Sequence, residues 1–348
     1  MGNTGIPGFP HPIKQPRSSG RSYGVYHYSR KRRRLTRFAA WMFSLFMILF
    51  LFFVGFLYAP FQPFESFRNL WVTSAMTTMT HQYLAKGLFS DAKIQKIMDR
   101  NKAAVLGNSN NSYINTHSAS SNNGLELINI SQKGFKGYLL KINNPARVKV
   151  AATRYLGKMG EKAENIAKET GAVAVINGGE FDDPQGKGNG GQPLGILISG
   201  GRLLYKGPKT AYDIIGLNSN NILVLGHYTL TQIKKMEIRD AVTFRPFLVV
   251  NGKPAITHGN GGWGIAPRTA IGQTRNGTIL MLVIDGRQIG SIGATLKDVQ
   301  DIMLQYGAYN VANLDGGVST VLYYDNKIVN HPSSPFGERY MPSFFIVK

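Results

Sequence analysis

The chain has 348 residues and no cysteine. Disulfides, thiolate metal sites and a cysteine nucleophile are therefore excluded, whatever the compartment. Acids are scarce too: 19 Asp and Glu stand against 40 Lys and Arg, for a formal charge of +21. All charged residues together make up 17% of the chain, beside 40 glycines. Such a composition argues against a helical bundle and for a strand-rich, turn-rich body. Several chemical signatures are also missing. Ser319 lies in no G-x-S-x-G elbow, and His227, His258 and His331 form no H-E-x-x-H or other close metal-binding spacing. No G-x-G-x-x-G follows a strand and opens a helix, and there is no Walker lysine.

The positive charge is unevenly placed. Residues 1–37 hold nine Lys and Arg and no acid, which leaves +12 for the rest of the chain. Directly after "RKRRRLTR" come 22 residues without a charge, Phe38 to Ala59, long enough for a helix to cross the ~30 Å hydrocarbon core. A cleaved leader has a shorter apolar stretch and a small-residue cleavage site, and "FLYAPFQPF" offers no good one. The basic flank therefore reads as a topology signal: residues 1–37 form a basic, disordered cytoplasmic tail, and 38–59 are a transmembrane anchor in contact with the lipid bilayer. Everything after it is extracytoplasmic, in a single-pass cell-membrane protein. Nucleic acid is not an expected partner.

Residues 60–106 read as a helical juxtamembrane stalk, with Ser90 as N-cap and Ile94, Ile97, Met98 and Val105 at near-helical spacing. "GNSNNSYINTHSASSNNG", 107–124, reads as an Asn/Ser-rich linker. The folded body is then 125–348. Short apolar runs punctuated by turns recur in it, among them "KGYLLKI", "GAVAVING", "FLVVNGK", "TILMLVIDG", "VSTVLYY" and "SFFIVK". "VNGKP", "RNGT" and "YYDNKI" carry hairpin turns. Two helices stand out: "GEKAENIAKETG", stopped by Gly171, and "ATLKDVQDIMLQYGA", with Thr295 as N-cap and Asp298 three residues on. The fold class is α+β: a strand-rich mixed domain with a few helices, preceded by one transmembrane helix and a helical stalk. No internal repeat is visible.

Four stretches share one design, an apolar strand beside a glycine-rich turn with a polar shoulder: "VAVINGGEFDD", "GIAPRTAIGQT", "LMLVIDGRQIG" and "VANLDGGVST". Paired glycines leave backbone N–H groups uncovered for an anion. Arg268 and Arg287 offer planar forks suited to phosphate or carboxylate. Taken singly, Asp-Gly and Asn-Gly-Gly are ordinary turn sequences. Together, Asn177, Arg268, Asp285, Arg287 and Asp315 all fall at the C-terminal ends of strands or next to them, which fits convergence on one cleft.

The ordered set "INGGEF", "PRTAIG", "LVIDGR", "NLDGGVST" and "ERYMPSFFIV" resembles the phosphodiester glycosidase family, over roughly residues 145–348. That family includes bacterial surface members associated with exopolysaccharide. The resemblance implies hydrolysis of a sugar-1-phosphodiester at its glycosidic C1–O bond, in a phosphate-containing surface or wall glycan. It implies Asp315, Glu338 and Asp285 as catalytic carboxylates. It also implies a substrate- and phosphate-binding set: Asn177, Gly178, Gly179, Arg268, Thr269, Arg287, Gly316, Gly317, Ser319, Thr320 and Arg339. Glu180, Asp183, Arg245 and His258 form a second tier. Two residues depart from the family pattern. Glu180 stands where an aromatic is usual, and Val318 where a third glycine or a serine is common. No cofactor or metal is called for. Three alternatives remain: a non-catalytic binding or assembly module for exopolysaccharide or a phosphate-containing wall polymer; turn chemistry alone; and a Ca²⁺- or Mg²⁺-dependent phosphodiesterase built on Asp182, Asp183, Asp285 and Asp315.

Overall fold

A computed structural model describes residues 2, 24–78, 80–116, 122–132 and 134–348. Contacts divide the chain into two compact units, Met1–Ala59 and Pro60–Lys348. The first contains α1 (Gly24–Tyr58). Within it, the 26 residues Arg33–Tyr58 are long and apolar enough to cross a membrane. The expected disordered tail is thus helical from Gly24 onward, continuous with the apolar span. Most of the remainder of that tail lies outside the described residues.

The second unit begins with three helices, α2 (Phe64–Met76), α3 (Tyr83–Lys86) and α4 (Asp91–Asn101). Ser90 caps α4, its side chain accepting from Lys93 N–H. These helices pack against one another and onto the body. Ser74 Oγ accepts from Ile265 N–H at 3.0 Å, and Asn101 Oδ1 accepts from Asn260 N–H at 3.2 Å. The segment after them is also attached where it is described. Ala104 N–H donates to the Ala255 carbonyl, and Ile114 is buried with Ile222 and Tyr309.

The strands follow in chain order: β1 (Leu125–Gln132), β2 (Phe135–Ile142) and β3 (Val148–Ala152), then α5 (Ala163–Thr170). Next come β4 (Ala174–Asn177), β5 (Ile196–Ser199), β6 (Arg202–Lys206), β7 (Ala211–Asn218) and β8 (Leu223–Thr229). After α6 (Leu230–Lys235) lie β9 (Ile238–Thr243), β10 (Phe247–Val250), β11 (Lys253–Pro254), β12 (Arg268–Thr274) and β13 (Ile279–Ile284). Then α7 (Leu296–Gln305) precedes β14 (Ala308–Asn313), β15 (Leu322–Tyr324), β16 (Lys327–Ile328) and β17 (Ser343–Val347). Three open sheets result, ordered β1-β2-β13-β12-β14-β10-β11, β16-β15-β4-β17-β3 and β6-β5-β9-β7-β8.

Alternation along the strands explains how the sheets stack. In β13, Ile279, Met281 and Val283 face a shared core with Ile176 and Phe345 of the second sheet and Leu217 and Leu225 of the third. Leu280, Leu282 and Ile284 point the other way, onto Leu296, Val299 and Met303 of α7. The second sheet covers its outer face with Ala163, Ile166 and Ala167 of α5, and the third with Ile233 of α6. The central strands of each sheet are therefore buried on both faces, which accounts for their continuous apolar runs. The helix signals behave as their chemistry predicts: Thr295 and Asp298 form a reciprocal capping box on α7, and Gly171 ends α5 at φ +65°. The α6 helix, also opened by a capping box at Thr229, was not anticipated.

Candidate active site

The first sheet decides which residues meet. Arg268 starts its strand and does not end it, contrary to the sequence expectation. Because β12 runs antiparallel to both neighbours, its start lies level with the ends of β13 and β14. Arg268 pairs with Ile284, one residue before Asp285, and Leu314 N–H donates to the Thr269 carbonyl at 2.9 Å, one residue before Asp315. Register alone brings the backbone of Arg268 level with the two aspartates.

Asn177, at the end of β4, joins the second sheet to this edge. It is fully buried, and its amide is engaged on all sides. Nδ2 donates to the Asp315 carbonyl at 2.6 Å, and Oδ1 accepts from Thr269 Oγ1 at 2.8 Å and Val321 N–H at 3.2 Å. Asn177 and Thr269 therefore position the turn, with no polar atom of the Asn177 side chain left over for a phosphate.

The glycines have separate physical reasons. A Cβ on Gly178 would stand 2.6 Å from Ser343 Oγ, and one on Gly179 would stand 2.6 Å from the Thr243 carbonyl. Their N–H groups go to the Ser343 carbonyl and to Ser343 Oγ. A Cβ on Gly316 would meet the Pro267 carbonyl at 2.8 Å. Gly316 N–H bonds the Asp315 carboxylate at 2.9 Å, and Gly317 N–H bonds the Pro267 carbonyl at 3.0 Å. The expected backbone cradle for an anion is thus absent here, because the turn amides are consumed by their own neighbours. Gly317, at φ +62°, instead admits a guanidinium: the Nη atoms of Arg287 lie 3.3 and 3.5 Å from where a Cβ would be. The chain also does not resume as a strand at once. Gly317–Ser319 form a 3-10 turn, and the strand begins at Leu322.

Each carboxylate has its own surroundings. Asp315 is raised by burial to about 6, opposed by hydrogen bonds from the Ser319 hydroxyl and Gly316 N–H and by nearby Arg339. Asp285 is buried and also raised by burial. Its Oδ1 accepts from Asn330 Nδ2 at 3.1 Å and His331 N–H at 2.8 Å, so it latches the 330–331 loop. Glu338 is raised by burial and accepts from the N–H groups of Glu164 and Ala163. It thereby caps α5, whose own N-cap, Lys162, makes no side-chain capping hydrogen bond. Asp183 pairs with Arg339, which also lies over the Phe181 ring at 5.1 Å. Glu180 is half-buried and raised by desolvation, with Lys209 and Asp213 in its field. Among the described residues, no three His, Asp or Glu side chains gather in a group able to hold a metal ion.

Arg268 is buried and spends its three hydrogen bonds on the neutral carbonyls of Ala294, Trp263 and Gly264. Burial and the neighbouring Arg287 pull it down to about 9, so it remains a cation at neutral pH. Arg287 is lowered by burial of its guanidinium. The Thr320 hydroxyl is buried without a hydrogen-bond partner. Arg245 is tied to Asp213, which also binds His227 at 2.7 Å, in a separate polar cluster beside Glu180. His258 is exposed and lies 3.1 Å from the adjacent Thr257 hydroxyl, in the loop that packs on α4. Sequence reasoning missed Asn330 and Trp263, which lie outside the five motifs, and Ser343, which lies inside "ERYMPSFFIV" but reads there as one polar residue before an apolar strand.

A strand-rich mixed domain that ends its sheets on an aspartate raised by burial, with the Arg339 charge in its field and the Arg287 guanidinium against the same turn at Gly317, suits chemistry on an anionic ester. Residues 170–348, just over half of the chain, match the model of the phosphodiester glycosidase family, and the chain belongs to that family. It is 28% identical over 184 residues to the SPbeta prophage-derived uncharacterized protein YomE of Bacillus subtilis (strain 168), covering 50% of this chain and 27% of that protein. It is 26% identical over 187 residues to the N-acetylglucosamine-1-phosphodiester alpha-N-acetylglucosaminidase of Bos taurus, covering 49% of this chain and 34% of that one. The chain thus matches about a third or less of these relatives' length. Its fold is similar to the zebrafish N-acetylglucosamine-1-phosphodiester alpha-N-acetylglucosaminidase catalytic domain auto-inhibited by pro-peptide. That match has a TM-score of 0.55 at 21% identity, over 67% of this chain and 86% of that one.

Proposed function

We propose that this protein hydrolyses a glycosyl phosphodiester of a surface or wall glycan at the sugar C1–O bond, on the outer side of a membrane to which α1 tethers it. The observation that carries this reading is the division among the carboxylates. Asp285 and Glu338 are committed to holding a loop and a helix, and Asp183 is committed to Arg339. Asp315 remains, tuned to about 6, with the Arg339 charge in its field and the Arg287 guanidinium against Gly317 two residues on. Arg287 holds the diester anion, and the buried charge of Arg268 near it helps to stabilise the negative charge that grows as C1–O breaks. Asp315 in its ionised form orients the attacking water and supports positive charge at C1. Water adds to C1, and the C1–O electron pair leaves with the phosphate. One proton reaches solvent or the phosphate, giving a free sugar and a phosphomonoester. The leaving phosphate is a weak base, so no strong general acid is required. Asn177 and Ser319 fix the turn.

The test assays the purified full chain for sugar release from a panel of GlcNAc-1-phosphodiesters, with Asp315→Ala alongside and an EDTA arm. The proposal expects release that disappears in the variant, withstands EDTA, and rises with pH through about 6 as Asp315 ionises. Binding without release by the wild type across the panel would favour a glycan-binding module.

A further inference from the structure

A cavity of about 480 Å³ lies between the α2–α4 helices and the body, within the usual size of ligand pockets. Its walls are mainly apolar: Met76, Ile94, Met98, Val105, Phe247 and Trp263. It is a built feature, because hydrogen bonds hold the helices to the loop that forms one wall. Thr77 Oγ1 donates to the Trp263 carbonyl at 3.2 Å, and Ser74 and Asn101 bind the same loop.

Two links join this groove to the catalytic turn. Trp263 lines the groove, and its ring centroid is 6.0 Å from the guanidinium of Arg268, which also donates to its carbonyl at 2.9 Å. On the other side, the groove residues Arg245 and Pro246 offer their carbonyls to Asn313 Nδ2 and N–H, at 3.3 and 3.1 Å. Asn313 is two residues before Asp315, is buried, and has an Oδ1 without a hydrogen-bond partner. The groove therefore begins where the phosphate-holding cations end.

We propose that the groove takes the hydrocarbon chain of an amphiphilic substrate, a sugar-1-phosphate esterified to a long apolar alcohol; this rests on the hydrolase reading above. Cations next to an apolar trough match a ligand with an anionic phosphate next to an alkyl or isoprenoid chain. A polyol would find partners there in Gln95, Asp99 and Lys102, but hydroxyls set against Met76, Ile94 and Phe247 would be left unpaired. Hydrolysis at C1–O then releases the free sugar and leaves the alkyl phosphate monoester in the groove.

The test uses the full chain in lipid nanodiscs and compares methyl and decyl diesters of GlcNAc-1-phosphate below micelle-forming concentration. Each methylene that enters the groove is worth about fourfold in affinity, so a few should raise kcat/KM of the decyl over the methyl diester by about 100-fold. Val105, 72% exposed, accepts a charge without disturbing the fold, so Val105→Glu, and separately Met98→Glu, should lower that ratio at least tenfold. Partition of the substrate into the nanodisc is the same for each variant and cancels in the comparison. A ratio near one in the wild type, or a ratio unchanged in both variants, would overturn the proposal. If neither diester is cleaved, the hydrolase reading fails. Decyl phosphate binding, followed by Trp fluorescence against methyl phosphate, then tests the groove alone: no preference for the decyl chain rejects it.

Discussion

Replacing Asp315 by Asn should make the protein more stable and inactive at once. A carboxyl raised from its ordinary 3.8 to about 6 is held more tightly when protonated, so folding favours the neutral form. The sign follows directly. The contribution to stability is fully present below the unfolded value of 3.8 and is lost as pH rises through about 6. The difference between the two values amounts to about 3 kcal/mol, which the native protein forgoes at neutral pH. Asn keeps the shape and an acceptor oxygen for Gly316 N–H, without the charge. Asp315→Asn should therefore gain about 3 kcal/mol at pH 8, roughly 5 °C or more in Tm, and almost nothing at pH 4. Parallel denaturation of the two proteins at both pH values, with sugar release measured at pH 8, checks this. An equal stability difference at the two pH values would refute the account of the burial, and retained sugar release would refute the role given to the carboxylate.

Other substitutions separate structural from chemical roles. Asn177→Ala leaves the Asp315 carbonyl and Val321 N–H without partners in a dry site, at about 1–3 kcal/mol each, so urea denaturation should show a loss of about 2–6 kcal/mol. Glu338→Gln weakens the cap on α5 by about 0.5–1 kcal/mol and should leave kcat within roughly twofold. A tenfold drop in kcat at unchanged folding would return Glu338 to the chemistry. Gly317→Ala forces a side chain into φ +62° and toward the Arg287 guanidinium, 3.3 Å away. It should cost about 1–2 kcal/mol in stability and raise KM as that cation is displaced.

Much of the fold was legible because it rests on local signals. The Thr295–Asp298 box, the Gly171 stop and the Ser90 cap lie within one or two turns of what they control. So do the Asn-Gly and Asp-Asn hairpins, where Asn251, Asp325 and Asn326 all take positive φ. The strands with strong apolar runs were visible for the same reason. Arg268–Thr274 was harder to place, since its Gly272 and polar Gln273 are explained only by neighbours: Met303 and the Asn310 carbonyl crowd the glycine, and Leu223 N–H bonds the glutamine.

The site divides along the same line. The candidates themselves came from the sequence, as five ordered motifs with Asp, Arg and Gly beside strands, though Asn330 and Trp263 carried no such signal. The helix that, alone among the described residues, is long and apolar enough to cross a membrane was legible in the sequence too. Which carboxylate is free for chemistry was not, because that depends on partners far along the chain. Glu338 is 174 residues from the helix end it caps, and Asp285 is 45 residues from the Asn330 it holds. The meaning of the paired glycines was likewise hidden, since Ser343, Thr243 and Pro267 approach them only after three sheets have packed. Sequence fixes what a segment can do within its own hydrogen-bonding reach. Antiparallel register and sheet packing decide which distant groups share a dry site, and burial there sets their charge.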